Sequence, residues 1–203
     1  GAVTASVVAD VTARAASPTT TFGTATVLDV DGNSAKETYF RLTVSGIGAR
    51  SVASAKLRLV VPNTVGADSP SGGRIHTMTN CTWNEATVTW NTRPAIDGPV
   101  LSTLGPVALG QTVEFDITSA VHDGTFCLGA DSLVADNARY ASREASANKP
   151  LVIITLGAAA APRCGDGLVN QTGELCDGMA NAACPNGCTA SCTCATPAPR
   201  CGD

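Results

Sequence analysis

Glu37-Thr38-Tyr39-Phe40-Arg41-Leu42-Thr43-Val44 decides the fold class. Phe40, Leu42 and Val44 occupy alternate positions, and residues two apart on an extended chain share one face. A helix would scatter the same three side chains around its axis. The alternation recurs downstream. Ala55, Leu57, Leu59 and Val61 alternate with Lys56, Arg58 and Val60, and Val113, Phe115 and Ile117 alternate with Glu114 and Asp116. Further strands are expected at 7–13, 25–30, 74–79, 87–91, 126–128 and 139–142. The apolar run Leu151–Leu156 reads as a strand covered on both faces. Asp31-Gly32-Asn33, Pro62-Asn63, Ser71-Gly72-Gly73, Asp97-Gly98-Pro99 and Asp123-Gly124 supply the turns. Helical periodicity never persists beyond about two turns. The expected class is all-β, a jelly-roll-like β-sandwich over residues 1–157.

Composition narrows the function. An apolar fraction of 44% is enough for a core. Net charge is -4 and no basic stripe is present, so neither nucleic acid nor an anionic membrane is an expected partner. The longest apolar run, 151–161, falls short of the roughly 20 residues a spanning helix needs, so no membrane insertion is expected. The chain opens at Gly1 in polar, alternating sequence, as a processed secreted chain would. Its two histidines, His76 and His122, lie in separate segments, and no nucleophile elbow, zinc-protease or phosphate-loop motif occurs. Asp29, Asp31, Glu85 and Glu144 are the carboxylates that paired glycosidase chemistry would draw on. They read instead as turn and strand-edge residues, and the chain is expected not to be an enzyme.

The nine cysteines divide the chain. Cys81 and Cys127 are the two in the sandwich and sit in separate strand regions, so a bridge between them is expected. Cys164, Cys176, Cys184, Cys188, Cys192 and Cys194 form an even set in a short segment with little apolar sequence. That reads as a disulfide framework over residues 164–194, with open connectivity, in an oxidising, extracellular or cell-surface location. A small-residue linker, 158–163, precedes it. Pro162-Arg163-Cys164-Gly165-Asp166 returns as Pro199-Arg200-Cys201-Gly202-Asp203, so 195–203 reads as a Pro-rich linker and the start of a second copy. Cys201 is left over and is a candidate for intermolecular pairing.

Four stretches of the first part resemble the DNRLRE-type β-sandwich family, related to carbohydrate-binding module family 96. They are Ser17-Pro18-Thr19-Thr20-Thr21-Phe22-Gly23-Thr24-Ala25, then Glu37-Thr38-Tyr39-Phe40-Arg41-Leu42, then Thr82 through Pro94, and lastly Asp136 through Glu144 with Asn148-Lys149-Pro150. The resemblance covers about residues 5–156. It implies an extracellular jelly-roll-like domain, with some relatives binding acidic polysaccharides such as alginate and others sitting in cell-surface and matrix proteins. The tail, from Cys164-Gly165-Asp166-Gly167 through Glu174-Leu175-Cys176-Asp177-Gly178, resembles the cysteine-rich repeats of secreted bacterial proteins. Gly178 stands where the common form has a second Asp.

Sugars are held by flat aromatic faces ringed with polar groups. The eight aromatics fall in the four stretches or at core positions (Phe115, Phe126), which leaves none for an exposed platform. A uronate polymer would instead pair with cations, for which Arg41, Lys56, Arg58, Arg74, Arg139 and Arg143 are the candidates. No cofactor is expected beyond a structural calcium, for which Asp29 and Asp31, or Asp166, Glu174 and Asp177, are the candidate oxygen ligands. Two functions follow. The first is a structural or assembly protein of a bacterial surface appendage, filament or matrix, partnered by further copies or other surface proteins, with residues 2–8 available to extend a neighbouring sheet. The alternative is a module binding an acidic, alginate- or pectin-like polysaccharide, attached to an enzyme or standing alone.

Overall fold

A computed structural model of the chain describes residues 2–158, 174–177, 184 and 187–195. The chain divides into two units, Gly1–Ala158 and Ala159–Asp203.

The first unit is built from β1 (Thr4–Arg14), β2 (Val27–Val30), β3 (Lys36–Ser45), β4 (Val52–Val60), β5 (Gly73–Met78), β6 (Val100–Leu104), β7 (Thr112–Asp116), β8 (Gly124–Asp131), β9 (Ala138–Ala141) and β10 (Leu151–Leu156). A five-stranded sheet runs β1-β3-β8-β5-β6 and a three-stranded sheet β10-β4-β7, while β2 and β9 pair separately. All pairings are antiparallel. The alternation in β3 does what its spacing predicts. Phe40, Leu42 and Val44 meet Leu57, Leu59, Val113 and Phe115 in the core between the two larger sheets. Each large apolar side chain withdrawn from water there contributes about 1.5–3 kcal/mol.

Three expectations are corrected. First, β10 is an edge strand, paired with β4 alone, and Leu151 is 54% exposed. Val152, Ile154 and Leu156 pack on the core, so its apolar run does not mean cover on both faces. Second, residues 87–91 are not a strand. Thr87 and Val88 donate to the Asn84 carbonyl, Thr89 N–H donates to Thr92 Oγ1, and a 3₁₀ turn forms at Trp90–Thr92. Local acceptors take the backbone donors that a ladder would need. Third, β6 escaped the sequence reading because Ser102 and Thr103 break its apolar pattern at a sheet edge.

β1 contains a bulge. Val7 pairs with Leu42 and Ala9 with Arg41, leaving Val8 as the extra residue. Val3, Ala5 and Val7 therefore pack on the inter-sheet core, whereas Ala9, Val11 and Ala13 pack on the opposite face. The same strand serves two cores. Residues 4–8 are the outer strand of their own sheet, hydrogen-bonded to β3. Thr4 pairs with Ser45 and Leu156 with Val52, so the two ends of the sandwich flank one turn, residues 46–51.

Candidate functional site

The outer face of the five-stranded sheet is not open to solvent. The loop from β5 to β6, residues 79–99, folds back over it as a lid. Trp83 and Val88 from the lid are buried against Ala9, Val11, Ala13, Tyr39 and Met78, with Phe22, Trp90 and Ile96 half-buried around them. Cys81 in the lid is bonded to Cys127 in β8, with 5.4 Å between their Cα atoms. Gly129 in β8 makes room for the lid, since a Cβ there would stand 2.7 Å from Ile96. At the rim, a Cβ on Gly23 would stand 2.2 Å from the Glu85 carbonyl oxygen.

Aromatic rings and guanidinium groups alternate on this face. Arg93 lies 3.4 Å from the centre of the Trp90 ring, Arg14 lies 4.1 Å from Phe22, and Arg41 lies 4.5 Å from Trp83. Tyr39 packs tilted against Trp83. A desolvated cation over a ring contributes about 0.5–2 kcal/mol. Arg93 also pairs with Glu37 at 2.8 Å, and Arg14 with Asp29 at 2.8 Å. Arg41 differs. Among the described residues it has no carboxylate partner, and it donates to the Trp83 backbone carbonyl. It stands in the wall of a cleft of about 530 Å³ lined by Val8, Ala9, Cys81, Thr82, Trp83, Asn84 and Glu85. Thr82 and Asn84 present exposed polar side chains to it.

All four stretches that carried the family resemblance converge on this face or its rim: Phe22 and Gly23, Glu37 to Arg41, Trp83 to Arg93, and Arg143 to Glu144. Carbohydrate-binding module family 96 matches residues 1–156. The chain belongs to carbohydrate-binding module family 96. No curated protein matches the chain. The match starts at residue 1, so the family region includes the first half of β1, which the sequence resemblance placed partly outside it.

The module does not gather the six candidate cations into one patch. Lys56 and Arg58 lie on the three-stranded sheet, paired across strands with Asp116 at 2.6 Å and Glu114 at 2.7 Å. The Lys56 hydrogen bond holds the Asp116 carboxyl down at about 2. Arg74 pairs with Asp131 at 2.5 Å, Arg139 with Asp29 at 3.0 Å, and Arg143 with Glu85 at 2.8 Å. Outward phase therefore did not mean an available charge; a facing carboxylate takes five of the six. Arg41 is the exception, and it was legible only as a strand residue, because its neighbours come from a loop some forty positions away.

The first candidate calcium pair is otherwise occupied. Asp29 is 1% exposed, and its oxygens accept from Arg14, Arg139 and Asn137. Burial pushes its carboxyl upward, but those hydrogen bonds and the two guanidinium charges outweigh this and hold it below the ordinary 3.8. Asp31 Oδ1 accepts from the Asn33 and Ser34 N–H groups of the turn. Two nearby guanidinium groups repel a cation that approaches Asp29.

A different set of carboxylates comes together where β1, the lid and the turn after β9 meet. Asp10 N–H donates to Glu85 Oε1 at 2.7 Å, and Arg143 N–H donates to Asp10 Oδ2 at 2.8 Å. Arg143 also pairs with Glu144 at 3.2 Å. Burial pushes the Asp10 carboxyl up to about 8; the Arg143 N–H opposes this, and the charges of Glu144 and Glu85 reinforce it. Sequence reading singled out Glu85 and Glu144 separately and missed Asp10. Its signal was a charge inside an otherwise apolar strand.

In the second unit, Cys176 is bonded to Cys188 and Cys184 to Cys194, and Cys192 is disulfide-bonded as well. Glu174 and Asp177 are buried and lie close to Cys192. That sulfur is in a disulfide and offers no thiolate to a metal. Cys164, Asp166, Cys201 and the linkers expected at 158–163 and 195–203 fall wholly or mostly outside the described residues. Among the described residues, no helix is long and apolar enough to cross a membrane.

Proposed function

We propose that the sandwich is a non-catalytic, extracellular module that binds an acidic polysaccharide, alginate- or pectin-like, in the cleft beneath the lid. Family membership over residues 1–156 supports carbohydrate binding. The observation that carries the acidic preference is Arg41. It is the cation lining the cleft that has no carboxylate partner among the described residues, since Glu85 in the same wall is paired with Arg143. A sugar carboxylate supplies that partner, its oxygens accepting N–H groups that the planar guanidinium donates. Thr82 and Asn84 add hydroxyl and amide groups for the ring substituents. The disulfides support an oxidising location.

The assembly reading has less support. The covered segment at Asp10, where Glu85 takes the outward N–H of the edge strand, blocks strand addition beyond the bulge.

Affinity electrophoresis through gels containing alginate, pectin or a neutral glucan tests the proposal. Retardation is expected in the acidic gels and is expected to weaken with salt. Arg41→Met should weaken it by about tenfold or more, and Asn84→Ala should weaken it less. Arg58→Ala should leave it unchanged. Equal retardation of the wild type and Arg41→Met, or retardation by the neutral glucan alone, overturns the reading.

A further inference from the structure

Asp10, Glu85 and Glu144 each place one carboxylate oxygen within 4.8 Å of the others. Such crowding of like charges is unfavourable unless something between them compensates. Donors satisfy part of the set. Both Glu85 oxygens accept hydrogen bonds, Asp10 Oδ2 accepts from Arg143 N–H, and Glu144 Oε1 faces the Arg143 guanidinium. Two oxygens remain. Asp10 Oδ1 and Glu144 Oε2 are shielded from solvent and receive no N–H or hydroxyl donor from the protein, and the Asp10 residue is only 1% exposed. With all three carboxylates ionised, the Arg143 guanidinium offsets one charge and leaves an excess of two. A buried oxygen without a donor costs about 1–3 kcal/mol, and more when charged.

We propose that Asp10, Glu85 and Glu144 bind a divalent cation, calcium, that pins the lid to β1 and to the turn after β9. The donor set is all oxygen, which suits a hard cation and not zinc or copper. The excess of two charges matches a divalent ion. Glu85 oxygens keep a second lone pair after accepting one hydrogen bond, so they remain able to ligate. The three ligands come from three separate segments, β1, the lid and the turn after β9, and water completes the irregular coordination that calcium tolerates better than magnesium does. Unlike the pair Asp29 and Asp31, this set is ion-paired with one guanidinium, Arg143, and keeps two shielded oxygens that receive no N–H or hydroxyl donor.

The test uses the full chain, stripped with a chelator, and calcium chloride as the probe. Calcium is expected to raise the melting temperature with an apparent dissociation constant on the order of 10⁻⁴–10⁻³ M, the range of extracellular modules. Terbium is expected to give luminescence sensitised by tryptophan, with Trp83 two positions from Glu85. Asp10→Asn and Glu144→Gln should each weaken binding at least about tenfold. Asp177→Asn, in the tail, should not. Glu144 is partly exposed, so Glu144→Gln carries the test if Asp10→Asn does not fold. A melting temperature unmoved by calcium to roughly tenfold above that range overturns the proposal, as does an undiminished response in Glu144→Gln. A stability that follows pH but ignores calcium would assign a shared proton to Asp10 and Glu144 and would equally overturn it. Glycan retardation is scored separately, so failure here leaves the Arg41 reading standing.

Discussion

The two faces of the five-stranded sheet are built on different principles. The inner face is aliphatic, regular and matched by a second sheet: Phe40, Leu42, Val44, Ile75 and Leu128 against Leu57, Leu59 and Phe115. The outer face carries Tyr39, Met78 and Cys127, and an irregular loop closes it with tryptophans, guanidinium groups and one disulfide. The inner face is held by area removed from water, which is indifferent to orientation. The outer face adds directional contacts to a smaller apolar cluster: guanidinium groups over rings, ion pairs and a disulfide.

The largest break in that comparison comes from the inner face. Phe40→Ala should cost about 3–5 kcal/mol in denaturant unfolding, with all probes unfolding together. Removing the staple, Cys81→Ser with Cys127→Ser, should cost about 2–4 kcal/mol, because the bond closes a separation of 46 residues. Amide exchange should then speed up across 79–96 while β4 and β7 stay protected; uniform loss would mean that the two faces are not separable. Asp29→Asn removes the buried carboxylate that accepts from Arg14, Arg139 and Asn137 and should cost about 1.5–3 kcal/mol at neutral pH. The Asp29 carboxyl is depressed in the folded chain, so its contribution is present above the ordinary 3.8 and lost as pH falls through the folded value. The gap between wild type and Asp29→Asn should therefore close in acid. Arg93→Ala removes a guanidinium from Trp90 and should cost about 0.5–2 kcal/mol, read as earlier quenching of tryptophan fluorescence. Lys56→Ala, on the far sheet, should change stability by no more than about 1 kcal/mol and leave glycan retardation untouched.

The inner face was legible in the sequence because alternation reports burial directly. Leu57, Leu59, Val113 and Phe115 were placed by period alone. The outer face was not. Its covering loop has no period, and its turn at Trp90–Thr92 reads as a strand from composition. The bulge at Val8 shifts the phase of β1 without any glycine or proline to mark it, so Ala9, Val11 and Ala13 change sides unannounced. The stretch Thr82 to Pro94 was specific enough to suggest a family, but what it covers depends on contacts with residues distant in sequence, Ala9, Val11 and Tyr39 among them. The cleft residues were likewise named singly, and only the fold shows that Arg143 is paired with Glu85 and Glu144 while Arg41 has no carboxylate partner among the described residues.

The ends of the sandwich flank the 46–51 turn. A mechanical load applied through the two ends therefore acts at one pole, across the strands and not along them. β1 and β10 would peel away from β3 and β4 one hydrogen bond at a time, as a zipper opens, where opposite poles would have made every bond in the ladder yield at once. Single-molecule pulling through the termini should meet low, sawtooth resistance, whereas a handle moved to the opposite pole should meet a much higher peak.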